Sequence, residues 1–273
     1  MELITPGFIV LFILLGAVAG LLAGLLGIGG GIILVPLFLH IFPLIGFPPE
    51  YYVHLALGTS LGIILPTAIS STFGHRKRGN VDWRQVGFLT IGGVAGAVAG
   101  SHLAAGLNGR NLQLLFAGMQ ILVAGRMLVA RNYLPPERST RVPPWMLILV
   151  GLCGGSFSAF FGVGGGVVAV PMMVILVQLP IHLAVGNSSA LIVVSSLAGM
   201  LSYIATGSGE PGLPPWSFGY VNLLVVLLVA PLAILFARLG VRIAGRLPHD
   251  KMVKAFAALL ILVGLKMGYQ VLF

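Results

Sequence analysis

Apolar residues run through this chain in long unbroken blocks, and polar residues collect between the blocks instead of alternating within them. The stretches 7–26, 85–106, 143–163, 183–206 and 216–237 contain no Asp, Glu, Lys or Arg. About 20 helical residues cross a hydrocarbon core of roughly 30 Å, so each block is long enough to span a membrane. Ten apolar segments result: 7–26, 31–45, 53–74, 85–106 and 111–130, then 143–163, 165–181, 183–206, 216–237 and 253–272. The expected fold is all-α and polytopic. Segments 31–45 and 165–181 are short for a full crossing, so each either crosses or folds back as a re-entrant hairpin with the segment before it.

The two short segments follow the same interruption. Gly27-Ile28-Gly29-Gly30-Gly31 leads into Pro36, and Gly162-Val163-Gly164-Gly165-Gly166 leads into Pro171, 135 positions later. Three glycines in a row inside a membrane run leave backbone N–H and C=O groups without helical partners. Such backbone must be buried in protein or line a polar cavity. The likeness extends further: His54-Leu55-Ala56-Leu57-Gly58-Thr59-Ser60 matches His182-Leu183-Ala184-Val185-Gly186-Asn187-Ser188 at a spacing of 128. At a spacing of 140, Gly100 meets Gly240, Phe116 meets Phe256 and Arg126 meets Lys266. The expectation is one membrane domain built from two repeats, 1–131 and 143–273, joined by a linker at 132–142.

Charge orients the repeats. Lys and Arg favour the cytoplasmic side of a membrane protein. With His75–Arg84 cytoplasmic, alternation also makes 131–142 and 238–252 cytoplasmic. With the flanking Lys254, these regions gather twelve of the fifteen basic residues. The loop counterpart of Arg76–Arg84, at 204–215, carries Glu210 and no base. Matching loops thus face opposite sides, which predicts an inverted-topology pair in the cell membrane with both termini outside the cytoplasm.

Composition narrows the function classes. The chain is 58% hydrophobic and 8% charged, against about 25% charged in ordinary soluble domains. The net charge of +9 is accounted for by cytoplasmic loops, so the lipid bilayer and not nucleic acid is the expected partner. One cysteine, Cys153, excludes an internal disulfide and a cysteine-cluster metal site. Metal-ligand spacing such as HExxH is absent, as is a GxxxxGK[ST] nucleotide loop. Neither a catalytic nucleophile–base pair nor a cofactor site is expected.

The motifs in their order resemble the sulfite exporter TauE/SafE family of bacterial and archaeal membrane proteins. The resemblance rests on Gly24 through Pro36, Ala56-Leu57-Gly58-Thr59-Ser60 and Gly79-Asn80-Val81-Asp82-Trp83. Phe161-Gly162-Val163-Gly164-Gly165-Gly166 through Pro171 and Gly186-Asn187-Ser188 repeat the pattern. It implies a transporter of small sulfur-containing anions such as sulfite, sulfoacetate, thiosulfate or other organosulfonates.

A helix N-terminus offers unpaired N–H groups and about half a positive charge, enough to hold an anion. Helices restarting after Gly29, Gly30 and Gly31 and after Gly164, Gly165 and Gly166 would supply two such ends near the midplane. Thr59, Ser60, Asn187, Ser188 and Ser189 are the next candidate substrate ligands, as neutral donors, although helix–helix bonding would use the same groups. Ser70, Ser71, Ser195 and Ser196 extend that polar face. His75, Arg126 and Lys266 are candidates for a gate or vestibule, the last two either as buried cations or as snorkelling ones. His54 and His182 read as interfacial groups; His40 shows no partner in sequence. No Asp or Glu lies mid-span, which leaves H+ through histidine, Na+ on carbonyls or uncoupled flux as the alternatives. A secondary transporter with a midplane site is expected. The competing class is a passive anion or solute channel built from two re-entrant half-helices.

Overall fold

The computed structural model describes residues 6–26, 30–129, 142–244 and 249–272. In chain order the helices are α1 (Pro6–Leu26), α2 (Gly31–Leu44), α3 (Tyr52–Lys77), α4 (Trp83–Ala105), α5 (Gly109–Val129), α6 (Pro144–Phe161), α7 (Gly166–Ile175) and α8 (Ile181–Gly207). A short antiparallel ladder, β1 (Ser217–Phe218) with β2 (Val221–Asn222), precedes α9 (Leu223–Ala244) and α10 (His249–Leu272). The architecture is all-α. Helices α3, α4, α6 and α8 are long and apolar enough to cross a membrane.

Helices α3 and α8 form the centre. They pack antiparallel: the Ser71 and Ser189 hydroxyls lie 3.2 Å apart, while Gly199 faces Leu61 and Gly58 faces Tyr203. Leu55, Leu57, Leu61, Ile63, Ile64 and Tyr203 are fully buried there. Around this pair, α4 lies on α6 and α1 on α9, held close by small residues. A side chain at Gly151 would run into the Leu89 carbonyl, and one at Gly155 into the Gly93 carbonyl. In the other pair, Gly16 meets the Val229 carbonyl and Gly20 the Ala233 carbonyl. Backbone-to-backbone approach of this kind is how helices associate where lipid removes the hydrophobic drive between them. The outward faces are apolar, with Leu122 69% and Leu227 70% exposed. A helix apolar on every side belongs in a membrane, and exposed Trp83 and Trp145 at the starts of α4 and α6 suit its interface.

Two boundaries differ from the sequence expectation. The segment at 165–181 holds only α7, which stops at Ile175 because Gln178 adopts φ 60 and Pro180 caps α8. The segment at 216–237 begins its helix at Leu223, since Trp216 (φ 66) and Gly219 (φ 52) turn the chain through the β1–β2 ladder. In both places positive φ values break a run that is apolar enough to be helical.

Candidate translocation site

The glycine interruptions come together. Helix α2 is capped by Gly30 in the left-handed conformation at φ 73, and α7 by Gly165 at φ 70. Gly31 lies against Gly162, Val163 and the Ile64 side chain. Ile64 is at the middle of α3, so both breaks sit near mid-height of the longest helices. Gly164 (φ 92) packs between Ile64 and Ile192 of α8. Glycine is needed here twice over: L-residues disfavour these φ values, and a Cβ at Gly165 would strike the Gly154 carbonyl. Gly29 lies outside the described residues. At the start of α7 the Gly165 carbonyl accepts from Val168 and Ala169 N–H, at 3.1 and 2.9 Å.

The polar candidates divide by partner. The Ser60 hydroxyl donates between the Leu57 and Gly162 carbonyls, 2.7 Å from each, and so braces the end of α6. Ser188 matches it in α8 and is equally buried, yet its hydroxyl finds no partner among the described residues. Thr59 and Asn187 also match one another, and each receives the backbone N–H of the residue before a helix. Asn222 N–H donates to Thr59 Oγ1 at 3.0 Å, and Asp82 N–H to Asn187 Oδ1 at 2.9 Å. Each of those donors is itself a helix cap, Asp82 accepting from Arg84 and Gln85 N–H, and Asn222 from Val225 N–H. Asn187 Nδ2 further donates to Gln85 Oε1 at 2.8 Å. Ser189 donates to the Val185 carbonyl at 3.0 Å.

Thr59 and Asn187 are not brought to one point. In the register set by Ser71 beside Ser189, Asn187 lies level with about residue 73 of α3. That is about 14 residues from Thr59, or roughly 20 Å at 1.5 Å per residue. The remaining hydroxyls mostly turn back on their own helices, as Ser196 does on the Ile192 carbonyl at 2.6 Å. Ser70 accepts from Arg238 Nε at 3.2 Å.

His75 is half-buried at the end of α3, and its Nδ1 has no partner among the described residues. Arg126 and Lys266 are both exposed. His54 is not at an open interface: it is 6% exposed, stacks on Tyr220 with ring centroids 5.1 Å apart, and contacts the Ala104 carbonyl at 3.2 Å. Nearby, Tyr51 donates to Glu210; burial and then this carboxylate hold its phenol above the ordinary range. Sequence reasoning missed Gln120, fully buried in α5, whose Nε2 donates to the Ile32 carbonyl at 3.1 Å. Its signal was present, since a lone amide in the middle of an apolar span is a costly group that needs a reason.

The class defined by these features is a multi-pass helical membrane protein with two glycine-capped helices starting at mid-height. The sulfite exporter TauE/SafE family model matches residues 12–267, and the chain belongs to that family. It is 31% identical over 261 residues to a probable membrane transporter protein of Haemophilus influenzae, covering 95% of this chain and 98% of the relative. A probable membrane transporter protein of Methanocaldococcus jannaschii is 29% identical, with 94% of each chain covered. Another from Bacillus subtilis, YunE, is 26% identical over 97% of this chain and 98% of its own. No solved structure matches the chain.

Proposed function

We propose that this membrane transporter is a secondary carrier that exports small sulfur-containing anions, such as sulfite, thiosulfate or organosulfonates, by alternating access at the glycine breaks. The observation that carries this reading is the meeting of Gly31 with Gly162 and Val163 at mid-height. Two chain breaks placed there give backbone N–H groups an anion can approach without a fixed cation, whose grip would slow release. The family's name supports a sulfur oxyanion as cargo.

An inverted repeat is supported by paired contacts. Gly16 against Val229 and Gly151 against Leu89 are the same contact under the repeat spacings, as are Asn222 on Thr59 and Asp82 on Asn187. Because α1 packs on α9 and α4 on α6, the two sequence halves are interlaced. The moving bodies in this reading are composites of both halves, not 1–131 against 143–273. Helices α2 and α7 then act as re-entrant half-helices.

Flux of radiolabelled sulfite, thiosulfate and organosulfonates into proteoliposomes, with pH and sodium gradients varied independently, tests the function. Saturation with counterflow is expected, and linear flux without counterflow would show a channel instead. For the inversion, single cysteines at Arg78 and Gly209 in a Cys153→Ser background should label from opposite faces with an impermeant reagent. Labelling of both from one face would remove the inverted topology.

A further inference from the structure

The turn from α3 to α4 carries a charged and apolar surface that the central site does not use. Arg76, Lys77, Arg78 and Arg84 are all exposed there. Asp82 is the one carboxylate between Ile69 and Ile91, and it is committed to the N–H groups of Arg84 and Gln85 as the cap of α4. No carboxylate of the hairpin is free to pair with the four bases. The Arg76 guanidinium lies over the Trp83 ring, 6.0 Å from its centroid, which holds this cation beside an exposed aromatic residue. Ile69, Phe73 and Arg76 follow one another at helical spacing, so two exposed apolar side chains lead along one face of α3 to the guanidinium. On α4, Trp83 is followed in the same way by Gly87 and the exposed Ile91, and a Cβ at Gly87 would meet open space. The repeat does not require this surface. At spacings of 128 and 140, Arg76, Lys77 and Arg78 correspond to Ile204, Ala205 and Thr206, and Arg84 to Leu224. The backbone of the turn does recur: Asn80 N–H donates to the His75 carbonyl as Tyr220 N–H does to that of Tyr203, both at 3.0 Å. The turn is common to both halves, and its bases belong to one.

We propose that this surface holds an anionic phospholipid, its phosphodiester at Arg76 and Arg84 and its acyl chains against Phe73 and Trp83. Guanidinium groups match the oxygens of a phosphate. A tryptophan beside them suits the level of lipid headgroups, and the apolar residues that run from it along both helices continue into hydrocarbon. A soluble phosphate would use the bases and leave those apolar faces without a role, so a lipid is the occupant that fits the whole surface. The site stands on these exposed side chains and not on the transport reading.

Trp145→Phe and Trp216→Phe leave Trp83 as the one tryptophan of the full chain. Its fluorescence then reads the site in phosphatidylcholine nanodiscs doped with brominated lipid. Brominated phosphatidylglycerol should quench at about a five- to tenfold lower mole fraction than brominated phosphatidylcholine. Arg76→Gln with Arg84→Gln should reduce that preference to about twofold or less, and raised salt should lower it in the unsubstituted hairpin. Each variant is read as a ratio between two lipids, so a change in the ring's own brightness drops out. Arg110→Gln, at an exposed base on the start of α5, should leave the preference unchanged. Equal quenching by the two lipids, a preference that survives the double substitution, or one that Arg110→Gln lowers as much would each overturn the site. Quenching by neither lipid would mean that a second copy of the chain covers this face. Loss of the preference in millimolar inorganic phosphate would assign the bases to a soluble anion. Either of those results overturns the lipid site too.

Discussion

Ser60 and Ser188 hold matching places in the two halves and are almost equally buried, but they do different work. Ser60 closes on the Leu57 and Gly162 carbonyls and ties α3 to the end of α6. Ser188 faces no partner among the described residues. Thr59 and Asn187 show the other possibility, in which both halves use the pair alike to receive a capping loop. Recurrence in a repeat therefore does not distinguish a ligand from a brace; what distinguishes them is whether the donor is already engaged. By that measure Ser188 is the open side chain of the centre among the described residues, and Thr59, Ser60 and Asn187 are its supports.

The largest effect should come from the breaks themselves. Gly30→Leu forces a branched side chain onto a residue at φ 73, and proteoliposome flux should vanish while membrane insertion persists. Gly165→Leu should also abolish flux, but with lowered thermal stability, because its Cβ meets the Gly154 carbonyl. Wild-type flux in the Gly30 variant would reduce the first break to a packing feature.

Engaged and open donors separate at the next level. Asn187→Leu strands the Asp82 N–H and the Gln85 amide oxygen, and Ser60→Ala strands the Gly162 carbonyl. Each should lower unfolding free energy in detergent by about 1–3 kcal/mol. Ser188→Ala removes no described bond and should leave stability within about 0.5 kcal/mol, while weakening anion binding by up to about tenfold. If Ser188→Ala destabilises as Ser60→Ala does, the two serines are equivalent braces and the distinction fails.

Much of the helical frame could be read from apolar run length alone. Expected segments 53–74 and 85–106 correspond to Tyr52–Lys77 and Trp83–Ala105, because an uncharged run of that length has few alternatives to a span. Run length says nothing about φ, so the stop at Ile175 and the turn before Leu223 escaped it. Of the candidate site, the backbone breaks were legible and the side-chain partners were not. Triple glycines announce a break wherever they occur, whereas the duties of Thr59 and Asn187 depend on Asn222 and Asp82, each more than a hundred residues away. Gln120 carried a signal as a lone amide in an apolar span, but only the packing of α2 against α5 and α10 places it and His40 around one cavity.

The smallest effect separates the halves most finely. Arg126 and Lys266 are repeat-equivalent and both exposed, but Lys266 lines the α2–α5–α10 cavity and Arg126 does not. An exposed cation contributes little to binding, since solvent and headgroups screen it. Arg126→Gln should therefore change flux less than about twofold, and Lys266→Gln by no more than about tenfold, near 1.4 kcal/mol. The double variant should match Lys266→Gln alone when both are measured as initial rates of sulfonate uptake. Equal losses from the two single variants would mean that the bases act through general surface charge, and a total loss in the double variant would move the proposed anion site from the glycine breaks to the basic pair.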